Sequence, residues 1–308
     1  MTLGTLILWI GLAAIVLTGI VKAMKKDKSL FISYLQNFCG ALFVFSGWVK
    51  AIDPLGTAYK MEQYFAEFES TFSETWMSFI APIFPLFSEY SIGFSVFMIV
   101  FEIVLGVMLI FGVWRKWTSW AFFLLVAFFT FLTGFTYLTG YVPSDVNFFD
   151  FGNWGPYVET NMRVTDCGCF GDFIKLKPKV SFMKDVVLLV PALIFLFKYN
   201  KMHELFTAKV RNIITAVSTV GILFYCMSNY VWDLPGKDFR PFKIGTDVAA
   251  VKKAEQEAAA SVQVIAYKLT NKKTGEVVEI ATPEYMKRYK EFPKEDWTYE
   301  QVRSEPSI

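Results

Sequence analysis

Six long apolar runs constrain this chain more than any other feature of its sequence. Each is close to roughly 20 residues, the length that an α-helix needs to cross a hydrocarbon core about 30 Å thick. Hydrophobic residues make up 54% of the 308 residues and aromatic residues 18%, which exceeds the usual share in soluble domains. The sequence therefore predicts an all-α polytopic membrane protein in a lipid bilayer. The predicted transmembrane helices lie near residues 3 to 21, 30 to 52, 89 to 113, 117 to 140, 182 to 198 and 211 to 230.

Lysine and arginine are concentrated in alternate connections, and basic residues in short loops tend to stay in the cytoplasm. The connections at 22–28, 115–116 and 198–211 are short and basic, whereas those at 53–88 and 141–181 are long and the first of these is acidic. A counter-signal is that the second long connection also holds four basic residues, Arg163, Lys175, Lys177 and Lys179. On balance the long connections and both termini are expected outside the cytoplasm.

Charge and metal-ligand content argue against two classes of function. The formal net charge of +2 is too small to indicate binding to nucleic acid or to an acidic substrate. The single histidine, His203, and the four cysteines do not show the spacing of four convergent zinc ligands. The sequence therefore predicts neither a nucleic-acid partner nor a metal.

A pair of cysteines, Cys167 and Cys169, lies in the long connection within "RVTDCGCFGD". A Cys-x-Cys disulfide closes only in a tight ring, for which Gly168 supplies backbone freedom, and such a strained bond is comparatively oxidising. The predicted location is an oxidising compartment, which suits disulfide exchange. The alternatives are that both are ordinary loop residues or that each pairs elsewhere. Cys39 is expected to be a buried small residue, and Cys226 either a buried residue or a resolving thiol.

Three of the predicted transmembrane helices carry polar residues along one face, which predicts a bundle interior that is not purely apolar. An ionisable residue in the middle of a span usually faces such an interior. Glu102, in the third run, is either a protonated structural group or a functional one. Lys50, near the outer end of the second run, either anchors the helix at the interface or binds an anion or a quinone oxygen. Tyr137, in the fourth run, is a further candidate for binding a cofactor. Glu102 is about 20 Å from the outer end of its helix, so a loop thiol reaches it only if the loop dips deeply.

Two segments outside the apolar runs also carry structural signals. Asp53 and Pro54 indicate the start of a helix, and "TAYKMEQYFAEFESTF" continues it as an interfacial helix that either caps the bundle or guides a substrate. From about residue 231 the chain becomes hydrophilic, and its pattern predicts a β-hairpin with short helices. The predicted regions are 1–29, an N-terminal span with a basic loop; 30–200, a helical bundle; 201–230, the sixth span; and 231–308, an α+β tail.

Three stretches resemble the DoxX/MauE family of bacterial redox-associated membrane proteins. They are "FVFSGWVKAIDPLGTAYKMEQYF", "FEIVLGVMLIFG" and "DCGCFGD", at 43 to 65, 101 to 112 and 166 to 172. The resemblance implies a four-helix bundle at 30–200, similar in plan to DsbB and vitamin K epoxide reductase, which pass electrons from thiols to a quinone. It assigns the thiol site to Cys167 and Cys169, and Lys50 and Glu102 match other polar positions of the family. DsbB-type enzymes use two thiol pairs, and this chain has one obvious pair, which leaves the second to a partner.

Two hypotheses of different classes follow. In the first, the protein is a thiol-disulfide/quinone oxidoreductase of the bacterial inner membrane that exchanges electrons between an extracytoplasmic protein partner and the quinone pool. In the second, it is a non-catalytic scaffold of an envelope complex that binds its partners through the tail. The second is favoured by the missing thiol pair and by a tail that is too small to be stable alone.

Overall fold

The computed structural model describes residues 2–143, 146–164, 168–229, 237, 245–261, 263–271, 276–293 and 296–303. The chain divides into two compact units, Met1–Arg240 and Pro241–Ile308. The first unit is helical, and the second combines short helices with an antiparallel sheet. The predicted fold class, a helical membrane part with a small α+β tail, is confirmed.

Within the described residues, six helices of the first unit are long and apolar enough to cross a membrane. They agree with the predicted spans to within about one helical turn. The protein is therefore a multi-pass membrane protein. Its first unit contains α1 (Leu3–Ala23), α2 (Leu30–Ile52), α3 (Pro54–Ser73), α4 (Ile83–Glu89), α5 (Ser91–Phe111), α6 (Arg115–Leu138), α7 (Pro178–Lys198) and α8 (Ala208–Ser228).

Helices α2 and α5 form the closest pair of the bundle because small residues let their backbones approach. A Cβ atom on Gly106 would lie 2.7 Å from the Gly40 carbonyl oxygen and 2.9 Å from the Val44 backbone nitrogen. A Cβ on Gly47 would overlap the side chain of Ile103. Helices α6 and α7 form a second pair, while α1 packs on α2 and α8 packs on α5. Gly40, Gly47 and Gly106 thus allow the close packing of α2 on α5.

The predicted helix after the second span is present as α3. Asp53 Oδ1 accepts a hydrogen bond from the Gly56 backbone N–H at 3.0 Å, and Pro54 occupies the first turn. Tyr64 and Phe68 are buried against Phe135 of α6, and the Tyr64 hydroxyl lies 2.7 Å from Thr136 Oγ1. Helix α3 is therefore tied to the bundle through one of its faces.

The connection between α7 and α8 is fixed to the opposite end of the bundle by one buried amide. Gln36 Nε2 donates to the Leu109 carbonyl oxygen at 2.6 Å, and Gln36 Oε1 accepts from the His203 backbone N–H at 3.1 Å. The His203 ring is fully buried, with Nε2 2.9 Å from the Ile110 carbonyl oxygen. A carbonyl only accepts, so Nε2 carries the proton. Nδ1 is buried and makes no hydrogen bond with any described residue.

The burial of His203 predicts an acid-sensitive stability. Burial lowers the pKa of His203 from its ordinary value of 6.5, and the bond to the Ile110 carbonyl raises it by less. The unfolded chain therefore binds a proton near pH 6.5, whereas the folded protein binds it only at lower pH. The contribution of the neutral His203 to the free energy of unfolding is thus full above pH 6.5 and is lost as the pH falls below that value. Thermal unfolding in detergent between pH 7.5 and 5.5 measures this loss.

His203→Gln provides the comparison, because His203 is the single histidine of the chain. The variant is expected to have a lower melting temperature at every pH but a shallower decrease between pH 6.5 and 5.5. Equal slopes in the two proteins would contradict the assignment to His203.

The second unit contains the predicted hairpin and one strand that the sequence did not predict. Its elements are α9 (Val248–Ser261), β1 (Val264–Asn271), β2 (Val277–Ala281), α10 (Thr282–Arg288) and β3 (Trp297–Arg303). The sheet has the order β2-β1-β3, and both pairings are antiparallel. The unpredicted strand β3 makes β1 the central strand of the described sheet.

The core of this unit is small and rich in aromatic residues. Leu269, in the central strand, pairs with Val278 on one side and Tyr299 on the other. Leu269, Ile280 and Phe292 are buried. Because three strands with one apolar face are about the minimum for independent stability, β3 makes this unit more self-sufficient than a hairpin.

Candidate functional site

A cavity of about 260 Å³ lies within the helical unit, and its walls come from α2, α3, α5, α6, α7 and the residues that follow Cys167. Most of its lining is apolar, as is usual for small-molecule sites. The charged and nucleophilic side chains around it come from different helices, which the fold brings together. They include Lys50, Lys60, Glu102, Cys169, Lys184 and Asp185.

Lys50 and Glu102 form a buried ion pair in this cavity. Lys50 Nζ lies 2.6 Å from Glu102 Oε2, and the two side chains are 7% and 3% exposed. The ammonium also lies 4.9 Å from the centroid of the Phe129 ring, within the range of a cation–π contact. The Lys50 side chain therefore points into the bundle, toward Glu102. Each charge compensates the other, because an isolated charge at this depth is costly.

The offset between α2 and α5 explains how Lys50 reaches Glu102. Ser95 Oγ donates to the Pro54 carbonyl oxygen at 2.7 Å, so Ser95 lies level with the end of α2. Glu102 is seven residues further along α5, about 10 Å deeper at 1.5 Å per residue. The distance of about 20 Å expected from the sequence was that from Glu102 to the outer end of its own helix. That end extends past the end of α2, so the depth of Glu102 below the end of α2 is smaller.

The segment after Cys167 dips into the bundle. Gly168, Cys169, Phe170 and Gly171 all line the cavity. Ser46 Oγ, on α2, donates to the Cys169 carbonyl oxygen at 2.8 Å, and the Phe170 side chain is 1% exposed within the bundle core. Backbone φ angles of +60° at Gly168 and +50° at Gly171 belong to the left-handed region that glycine adopts without strain. Cys169 therefore faces the same cavity as Lys50 and Glu102.

Cys167, the other predicted thiol, lies outside the described residues. The structure therefore does not test the predicted Cys167–Cys169 pair, which stays a prediction.

A second ion pair was missed by the sequence reasoning. Lys184 Nζ lies 2.5 Å from Asp185 Oδ1, and Thr133 Oγ1 of α6 donates to Asp185 Oδ2 at 3.0 Å. Asp185 is 1% exposed, in the second turn of α7. The signal was available, because both residues lie inside the predicted span 182 to 198 and an ionisable residue within a span is a functional candidate.

The remaining candidates lie outside the cavity lining. Tyr137 stacks on Phe182, and its hydroxyl lies 3.1 Å from that of Tyr141. Cys39 is buried in the main core, as expected. Cys226, on α8, is buried in a separate cluster with Ile99 and Ile103. The structure thus brings Lys50, Glu102 and Cys169 together and does not bring Tyr137 or Cys226 to them.

Residues 28–144 match the family model described as methylamine utilisation protein MauE. No curated protein and no solved structure matches the chain. The matched segment holds α2 to α6, and with them Lys50, Glu102 and Thr133. Cys169, Lys184 and Asp185 lie beyond it. The match supports the resemblance to MauE proteins for the helices that carry the Lys50–Glu102 ion pair.

Proposed function

We propose that this protein is a redox protein of the bacterial inner membrane in which Cys169, together with Cys167, exchanges electrons with the thiols of an extracytoplasmic protein and passes them to a quinone held beside Lys50. The observation that carries the proposal is that Cys169 and the Lys50–Glu102 pair line one apolar cavity. The MauE match over residues 28–144 supports a role in a redox-related pathway.

The cavity fits the head group of a quinone rather than a whole isoprenoid quinone. Its volume of about 260 Å³ is slightly below the usual range of small-molecule sites, which is about 300–1,000 Å³. Leu42, Met98 and Leu132 offer apolar surface to a ring, and Lys50 offers a charged donor to a carbonyl oxygen. A quinone, when bound, accepts two electrons and two protons.

The residues of the chain have separate tasks in this proposal. Ser46, through its bond to the Cys169 carbonyl oxygen, holds the thiol-bearing segment at the cavity. Lys50 orients a ligand oxygen and can give up a proton to it, while Glu102 holds the ammonium in place. The walls are mostly apolar, and a less polar surrounding strengthens each of these electrostatic contacts.

The proposed orientation places the thiol-bearing segment outside the cytoplasm. At the opposite end of the helices Glu204 contacts three cations, at 3.7 Å from Lys28, 3.3 Å from Arg115 and 3.0 Å from Arg211. One carboxylate does not neutralise three cations, so this end remains basic, as cytoplasmic ends usually are. The thiol segment would then meet partners in the oxidising compartment.

The test is the redox state of the two loop cysteines in native membranes, read by mass-tag alkylation. Cys39→Ala and Cys226→Ala leave Cys167 and Cys169 as the remaining thiols of the four, and neither of the removed residues lines the cavity. We expect the pair to be mostly oxidised when quinone is present and mostly reduced when quinone synthesis is blocked. One unchanged state under both conditions and after added reductant would refute electron exchange.

A scaffold role is the second candidate, and the observation that favours it is that Pro241–Ile308 forms its own compact unit. Strands β2 and β3 are the edges of its described sheet, and sheet edges can receive a strand from a partner. Deleting residues 245–308 and replacing both loop cysteines by serine separates the two roles. The scaffold role predicts loss of partner binding only in the deletion, whereas the redox role predicts loss of electron exchange only in the serine variant.

A further inference from the structure

We propose that Lys184 and Asp185 form a second acid–base pair of the cavity, and that Lys184 delivers a proton to the quinone oxygen distant from Lys50. This inference rests on the proposed function. Both residues line the cavity and neither the family match nor the sequence motifs include them.

The contact between Lys184 and Asp185 is not an automatic result of helix geometry. Residues one position apart project about 100° from each other on a helix, so their side chains do not normally meet. Here Lys184 Nζ lies 2.5 Å from Asp185 Oδ1. The side chains are 14% and 2% exposed, in a helix that is apolar enough to cross the membrane. Two charges are therefore kept together at the cavity, where apolar residues would be less costly.

Neighbouring helices hold this pair in position. Thr133 of α6 donates to the second Asp185 oxygen at 3.0 Å. The Lys184 ammonium also lies 5.6 Å from the centroid of the Phe170 ring, adjacent in sequence to Cys169. The pair is thus connected to the thiol-bearing segment on one side and to α6 on the other.

The two ion pairs approach the cavity from different walls. Lys50 and Glu102 belong to α2 and α5, whereas Asp185 and its partner Thr133 belong to α7 and α6. A quinone has two oxygens at opposite ends of its ring, and each takes one proton on reduction. A donor on each of two walls matches this distribution.

Atoms, protons and electrons balance in the proposed reaction. When Cys167 and Cys169 form a disulfide, one S–S bond forms, two S–H bonds break, and two electrons and two protons leave the thiols. The two electrons pass to the quinone ring. Lys50 and Lys184 each donate one proton to a quinone oxygen, and the two thiol protons restore the ammonium groups through Glu102 and Asp185. No further oxidant or reductant is needed.

The test measures both binding and a single turnover in lipid nanodiscs, with decylubiquinone as the probe. Binding to the oxidised protein is measured by titration calorimetry, and oxidation of the pre-reduced cysteines is followed by mass-tag alkylation after anaerobic mixing. For Lys184→Gln we expect binding weakened about tenfold, the size of a lost charged hydrogen bond. At saturating decylubiquinone we expect oxidation slowed about a hundredfold, as for a lost general acid.

Matched variants separate a specific role from a general effect. Lys175→Gln removes an exposed lysine that pairs with Asp172 and should leave both quantities within twofold of the native protein. Lys184→Arg keeps the charge and should restore binding but not the full rate, because a guanidinium is a poor proton donor. If Lys184→Gln fails to fold, the Lys184→Arg protein still gives the decisive separation of binding from rate.

The outcomes distinguish the two proposals. The role of Lys184 would be overturned if Lys184→Gln bound decylubiquinone and were oxidised as the native protein is, or if Lys184→Arg were oxidised at the native rate. If Lys50→Gln lost binding and oxidation in the same experiment, the proposed function would still stand. A native protein that neither binds nor is oxidised by decylubiquinone would overturn both.

Discussion

Replacing Lys50 by methionine is expected to lower the free energy of unfolding by about 3–5 kcal/mol, because Glu102 then loses the partner of a buried ion pair. The two side chains are 7% and 3% exposed and 2.6 Å apart, so each charge depends mainly on the other for compensation. The measurement is unfolding of the purified protein in detergent, followed by circular dichroism as denaturant is added. Glu102→Leu should cost a similar amount, since it leaves the ammonium buried instead.

The double variant Lys50→Met/Glu102→Leu is the matched control for this prediction. Removing both charges leaves no unpaired group, and such replacements are often close to neutral. We therefore expect the double variant to be more stable than either single variant while failing to oxidise its cysteines with quinone. A double variant whose loss equals the sum of the single losses would show that the two residues are not energetically coupled.

Replacing Gly106 by alanine is expected to cost about 3 kcal/mol, near the upper end of the usual range for overpacking. The added Cβ would lie 2.7 Å from the Gly40 carbonyl oxygen and 2.9 Å from the Val44 nitrogen. Both are backbone atoms, so the helices must separate rather than rotate a side chain. The same unfolding measurement gives the loss directly.

Gly93, at the start of the same helix, provides the control. A Cβ at Gly93 meets no atom within 4 Å, and alanine is the better helix former by about 1 kcal/mol. Gly93→Ala should therefore leave stability unchanged or slightly raised. Equal effects of the two substitutions would mean that the approach of α2 to α5 does not limit the size of residue 106.

The spans could be predicted from the sequence because a bilayer imposes one length on every crossing helix. The start of α3 was predictable for a local reason, since Asp53 and Pro54 mark a helix end without reference to the rest of the fold. Strand β3 was not predictable in the same way. Its seven residues become a strand by pairing with β1, and that pairing depends on contacts between segments far apart in sequence.

The residues of the candidate site were predicted one by one, but their arrangement was not. Lys50 and Glu102 each carried a signal of their own, yet their contact depends on the offset of α5 past the end of α2, which no local pattern encodes. The entry of Cys169 into the cavity depends on the burial of Phe170 among residues of several helices. Asp185 was missed although the reasoning applied to Glu102 covers it equally.

The two helix pairs that enclose the cavity differ in what limits their movement. In the α2–α5 pair, backbone meets backbone at Gly40 and Gly106, whereas in the α6–α7 pair the nearest neighbours of a Cβ atom at Gly134 are atoms of the Phe182 ring. An aromatic ring can turn aside and a peptide group cannot. A larger residue is therefore easier to accommodate at position 134 than at position 106, because only the second would force two helix backbones apart.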